Sequence, residues 1–215
     1  MINRLLAILF FTFASLTPPL AHAGVDEDVR TLQQQWEDIK YRRPKADQEK
    51  AFEALTQTAG AVRARYADRA EAEIWYAIIV STYAGAKGGL GALSLAKDAK
   101  QALEHALALD PKALAGSAYT SLGSLYYQVP GWPVGFGDDK KAREMLEMAL
   151  KINPDGIDPN YFYGDFLFRK GDYAGARKSL ERALKAPARP DRPLADAGRR
   201  REIDELLAKI KDKAG

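Results

Sequence analysis

YAIIVSTYAGAKGGLGALSLAKDAKQALEHALALDP (residues 76–111) and YTSLGSLYYQVPGWPVGFGDDKKAREMLEMALKINP (residues 119–154) are one pattern written twice, 43 residues apart. Tyr76, Ile79, Tyr83, Lys97, Ala99, Leu103, Glu104, Ala106, Leu107 and Pro111 are answered by Tyr119, Leu122, Tyr126, Lys140, Ala142, Leu146, Glu147, Ala149, Leu150 and Pro154. In each copy apolar residues fall three and four apart on both sides of a Gly-rich interruption, the spacing of two amphipathic helices joined by a turn. Both copies stop at proline, Leu109-Asp110-Pro111 and Ile152-Asn153-Pro154. The ring disfavours helical geometry in the residue before it and has no N–H to donate. One hairpin cannot bury its apolar stripe alone, whereas stacked hairpins can.

A third unit follows without the insertion: Asn160, Tyr163, Gly164 and Leu167, then Gly171-Asp172-Tyr173, Ala176, Leu180 and Ala183. These residues resemble the tetratricopeptide repeat (TPR) family, whose pattern is W-x2-L-G-x2-Y, then A-x3-F, then P. Tyr119, Leu122, Gly123 and Tyr126, then Ala142, Leu146, Ala149 and Pro154, stand at its positions. The match covers most of residues 69–187. It implies an all-α, TPR-like helical-hairpin solenoid of about four hairpins plus a C-terminal capping helix.

Outward from this centre, residues 25–41 form an amphipathic helix with Val29, Leu32, Trp36 and Ile39 on one side. Pro44 ends it, and a second helix over 46–66 carries Ala51, Phe52, Leu55 and Val62, giving a degenerate first hairpin. Residues 24–215 therefore read as one domain, with hairpins at about 25–66, 71–110, 115–153 and 159–186. Ile74 to Val80 is apolar all round, so that helix should be buried between neighbours. After Pro187, Pro190 and Pro193, a helix over 195–213 turns Ile203, Leu206, Leu207 and Ile210 to one side and caps the last repeat.

The two insertions, Gly85 to Gly91 and Val129 to Asp139, occupy equivalent points of adjacent hairpins and are expected to touch, forming a built-up rim. The first reads as a flexible or close-packed turn. The second, stiffened by prolines and weighted by Trp132 and Phe136, is expected to fold back onto the helices. Residues 153–160 read as a helix stop and an N-cap rather than a calcium loop, because they fail the EF-hand spacing.

The 215-residue chain has no cysteine, which excludes thiol catalysis, disulfides, Cys-ligated zinc and a lipidated cysteine. Thirty-two basic and 29 acidic residues give a net charge of +3, too balanced for a nucleic-acid surface. Residues 1–23 carry Arg4, an apolar run from Leu5 to Leu16, a Pro18-Pro19 break and Ala21-His22-Ala23. That is a secretory signal with cleavage expected after Ala23 and a periplasmic address, and its apolar run is too short to serve as a stable membrane anchor.

Catalytic chemistry has little to use. His105 is the single histidine of the mature chain, its repeat partner is Met148, and no nucleophile-base signature, metal-ligand pair or cofactor motif accompanies it. Binding has more. The free face of the first helices presents Ala77, Ser81 and Ala84 in repeat two, and Ser117, Thr120, Ser124 and Tyr127 in repeat three. In repeat four it presents Asp158, Tyr161, Asp165 and Phe168. With Trp132 and Phe136 expected above it, this groove suits a protein or peptide partner in the cell envelope, unless the chain's own first or last helices fill it. No residue pattern specifies an oligomeric state.

An exported helical-hairpin array with Gly-rich insertions between paired helices also resembles the T components of TRAP-type transporters (TatT-like). That resemblance implies handling of a small apolar or organic ligand. Those proteins are typically homotrimeric lipoproteins, and this chain departs from them in lacking the lipidated cysteine.

Overall fold

The computed structural model describes residues 20–214, and among them nine helices and no strand. The expected leader lies outside the described residues, apart from the backbone of its last four, which belongs to the first helix. The helices are α1 (Leu20–Arg42), α2 (Lys45–Arg65), α3 (Ala70–Lys87), α4 (Gly89–Leu109), α5 (Ala113–Gln128), α6 (Asp139–Ile152), α7 (Ile157–Arg169), α8 (Tyr173–Leu184) and α9 (Pro193–Ala214). Successive helices pack pairwise from α1·α2 through α8·α9, as a stacked-hairpin solenoid requires.

The repeat register is visible in the packing. A Cβ added to Gly123 would lie 2.7 Å from Leu146 Cγ, and one at Gly164 would lie 2.8 Å from Leu180 Cγ. The missing side chain in each first helix thus admits a leucine from its partner, and Leu103, Leu146 and Leu180 are all fully buried. Burial at that level stabilises by about 2–3 kcal/mol per leucine. The apolar helix α3 is covered on two sides: Trp75, Ile79 and Tyr83 join the cluster with α1 and α2, while Ile74, Ala77 and Val80 join the cluster running on to α9.

The matching insertions are accommodated differently. The Gly85–Gly91 segment is not an open turn: helix continues on both sides, and the chain breaks only at Gly88 and Gly89, with φ of 65° and 61°. The second insertion is a closed loop. Asp138 donates its N–H to Tyr126 O at 2.9 Å, Gly137 donates to Pro130 O at 2.9 Å, and Asp138 caps α6. Gly135 and Gly137 are required there, because a Cβ would fall 2.4 Å from Pro130 O and 2.0 Å from Val129 O respectively. The second insertion packs on α4 beyond the first one, where Gly135 approaches Leu93 and Lys100 lies over the Phe136 ring, so a loop rests against a helix.

Helix α7 begins at Ile157 with Gly156 at its N-cap, inside the 153–160 stretch read as a stop and an N-cap, and Asn160 lies within its first turn. There its buried amide holds the preceding turn by donating to Pro154 O at 2.7 Å and Gly156 O at 2.9 Å. Helix α5 opens with Leu114, Ala115 and Gly116 in left-handed geometry, a turn no sequence signal announced.

Candidate functional site

The first helices of the hairpins form an inner layer in which α1 meets α3, α3 meets α5, α5 meets α7, α7 meets α9, and α9 meets α1. The C-terminal helix therefore does more than cap the last repeat: it returns to the first helix and closes the inner layer into a ring. Three contacts make the closure. Glu37, 4 % exposed, accepts from Arg192 Nε and from the backbone N–H of Ala195 at 3.3 Å, so it partners an orphan amide at the start of α9. Lys40 pairs with Glu202 at 3.5 Å. Gly198 lets the Tyr41 ring lie against the α9 backbone, where a Cβ would fall 2.4 Å from that ring.

The ring encloses a lumen parallel to its helices. Its narrower chamber, about 280 Å³, lies toward the N-terminal ends of α3, α5, α7 and α9. Helices α3 and α5 supply Ser81, Thr82, Ser117, Thr120, Ser121 and Ser124; α1, α3 and α7 supply Trp36, Tyr41, Trp75 and Phe162; Asp158, Arg189, Arg192 and Arg199 complete the wall. The wider chamber, about 710 Å³, opens toward the C-terminal ends and carries Lys40, Lys45, Arg169 and Lys209 beside Asp165, Glu202 and Glu205. Trp36, Ser81, Thr82, Ser124, Phe162 and Arg199 line both, so the two are continuous.

The wall is rigidly organised. Trp36 Nε1 donates to Thr82 Oγ1 at 2.9 Å, and the Trp36 ring meets Tyr41 and Trp75 edge-on at 5.8 and 6.1 Å. Arg192 lies over Trp75, and Arg199 over Tyr161 and Phe162. Asp158 accepts from Arg189 at 2.7 Å and from Arg199 at 2.8 Å. Burial alone would raise its pKa, but these two guanidinium groups hold it well below the ordinary carboxylate value. Burial pushes the Tyr161 hydroxyl up to about 12 despite Arg199 beside it, so the phenol stays neutral at physiological pH.

Of the residues expected to line the groove, Thr120 and Ser124 stand in the wall and Tyr161 and Asp165 in the wider chamber. Tyr127 lies behind Asp165, to which it donates at 2.8 Å, and Phe168 packs on Tyr173. Trp132 and Phe136 are not over the lumen. Phe136 packs edge-on against Tyr126, and Trp132 projects from the braced loop with 90 % of its surface exposed.

The sequence reading missed Trp36, Tyr41, Trp75 and the arginines Arg189, Arg192 and Arg199. Both tryptophans carried an ordinary core signal, and nothing periodic marks an arginine for a lumen. Outside the ring, the carboxylate of buried Glu73 has both oxygens 2.8 Å from Arg63 Nε and one 3.1 Å from His105 Nδ1, a structural ion cluster between α2, α3 and α4. Among the described residues no group of His, Cys, Asp and Glu is arranged to hold a metal.

No protein-family model matches this sequence, and no curated protein matches it. Among solved structures, a thermophilic TPR protein of Thermus thermophilus, TTC0263, is similar at 19 % identity with a TM-score of 0.60. The match covers 89 % of this chain and 83 % of that one. A chain from the functional characterization of Pseudomonas aeruginosa pilF matches at 16 % identity over 87 % of this chain and 90 % of its own, with a TM-score of only 0.36, too low to bear on the fold. The chain thus has the TPR-type fold expected from its repeats.

Proposed function

We propose that this chain is a non-enzymatic TPR-type binding module of the periplasm that holds a small organic ligand inside its ring of helices. The observation that carries this reading is the closure of α9 onto α1, which replaces an open trough with an enclosed lumen. An extended peptide needs a long open groove or a free edge, whereas a chamber of about 280 Å³ walled by hydroxyls and aromatic rings suits a compact molecule. This favours the ligand-handling role of a TRAP T-component-like protein over a peptide clamp. The periplasmic address rests on the leader pattern of residues 1–23.

A protein partner is supported at a different place. Trp132, exposed on a loop braced by its own backbone hydrogen bonds, is a preorganised aromatic anchor of the kind that dominates protein interfaces. The module would then hold a ligand inside and a partner protein outside.

The test is mass spectrometry of small molecules released by denaturing protein purified from its native envelope, beside a Ser121→Trp variant whose added indole fills the lumen. A compound present in the wild type and absent from the variant is expected. Equal recovery from both, or none from either, overturns the enclosed-ligand reading. Intact mass beginning at Gly24, and recovery in the periplasmic fraction, test the address.

A further inference from the structure

We infer that the lumen selects an organic anion, with its carboxylate or equivalent oxyanion seated on the terminal nitrogens of Arg192 and its body against Trp75 and Trp36. This rests on the enclosed-ligand reading above and names the ligand class.

The arginines on the chamber wall are not equivalent. Arg189 is consumed: Nε bonds Asp196, Nη1 bonds Asp158, and Nη2 lies 2.6 Å from Asp196. Arg199 gives Nε to Asp158 and Nη1 to Glu202. Arg192 gives only Nε, to Glu37, so both of its terminal nitrogens are uncommitted among the described residues. Its guanidinium is held 4.9 Å over the Trp75 ring. A guanidinium with one edge anchored and the other free is a preformed fork for a planar oxyanion.

Competing donors are fewer than the hydroxyl wall suggests. Ser81 donates to Ile78 O, Ser117 to Leu114 O, Ser124 to Ser121 O and Thr82 to Ile78 O, each to the backbone of its own helix. The Trp36 N–H is spent on Thr82. Thr120 and Ser121 keep free hydroxyls among the described residues, so they can complete an oxyanion's coordination without adding charge. Asp158 is the one carboxylate on the narrow chamber's wall, and two arginines already occupy it; Glu37 and Asp196 stand behind the wall. The wide mouth adds Lys45 and Lys209, which have no carboxylate partner among the described residues and outnumber its one unpaired carboxylate, Glu205, so the entrance stays net positive.

The experiment measures binding of two matched pairs, benzoate with benzamide and hexanoate with hexanamide, by calorimetry on the full mature chain. Carboxylates are expected to bind at least tenfold more tightly than their amides. Arg192→Lys keeps a cation for Glu37 but removes the fork, and should weaken carboxylate binding at least tenfold with little change in Tm. Should that variant melt much earlier, Thr120→Val with Ser121→Ala serves in its place, with an expected fall of threefold or more. Amides binding as well as carboxylates, or neither carboxylate binding, overturns the anion assignment. The enclosed-ligand reading stands or falls separately, on whether Ser121→Trp displaces the co-purified compound.

Discussion

Glu37 and Arg192 are 155 residues apart in sequence and form a buried ion pair that joins the first helix to the residue directly preceding the last. Removing one partner of such a pair leaves the other charge desolvated and unmatched, which costs about 3–5 kcal/mol. Glu37→Ala also strips an acceptor from the start of α9. Its Tm should therefore fall by roughly 10 °C, given ~2–4 °C per kcal/mol for a chain of this size. Hydrogen exchange should show the α9 amides opening ahead of those of α3 to α6. Unchanged exchange in α9 would mean that the ring is held by its other contacts.

The charge network in the chamber wall gives a pH dependence with a definite sign. The carboxyl of Asp158 has a folded-state pKa well below its unfolded value of about 3.9, so the folded state binds fewer protons. Its contribution is complete above that unfolded value and is lost as pH falls through and below it toward the folded pKa. Tm followed from pH 6 to pH 2 should decline most steeply below about pH 4. Asp158→Asn should lower Tm at neutral pH, by leaving Arg189 and Arg199 less compensated, and should make the acid decline shallower. An acid profile parallel to the wild type would assign that decline to other carboxylates.

Glycine at 123 is a packing requirement rather than a hinge. A Cβ there meets Leu146 Cγ at 2.7 Å and Leu146 N at 3.2 Å, and a backbone atom cannot swing aside. Gly123→Ala gains up to about 1 kcal/mol of helix propensity but is set against overpacking of about 1–3 kcal/mol. The net expectation is destabilisation by urea denaturation. Adding Leu146→Val should recover part of it through non-additivity. A Gly123→Ala variant more stable than the wild type would show that α5 and α6 can separate freely.

How far the sequence disclosed all this depends on the range of the interaction. The 43-residue register and the small residues Gly123 and Gly164 are local, periodic signals, and they described the hairpins and their packing. Ring closure depends on Glu37 finding Arg192 and on Gly198 facing Tyr41. Such pairings leave no trace at a period of three or four residues, so the last helix read as a cap or as one of the segments that could fill the groove. The Gly85–Gly91 run suggested a turn on composition, but packing of α3 and α4 sustained helix through it and concentrated the break at Gly88 and Gly89. Thr120, Ser124, Tyr161 and Asp165 line the lumen because the free face of a first helix follows from its periodicity. Trp132 was misplaced because the direction of a loop about ten residues long does not.

That loop allows folding and binding to be separated. Trp132 is 90 % exposed and packs against almost nothing, so Trp132→Ala should change stability by no more than about 0.5 kcal/mol. Gly137→Ala is a different kind of change: its Cβ would stand 2.0 Å from Val129 O, so the closed loop must rearrange and release Phe136 from Tyr126. A lower Tm is expected for Gly137→Ala alone. If the loop is the docking point for a partner protein, both variants lose that partner in pulldown while retaining the lumen's ligand, since neither residue lines the ring. Loss of the small ligand in Trp132→Ala would contradict this division, and would require the braced loop and the lumen to act as one site.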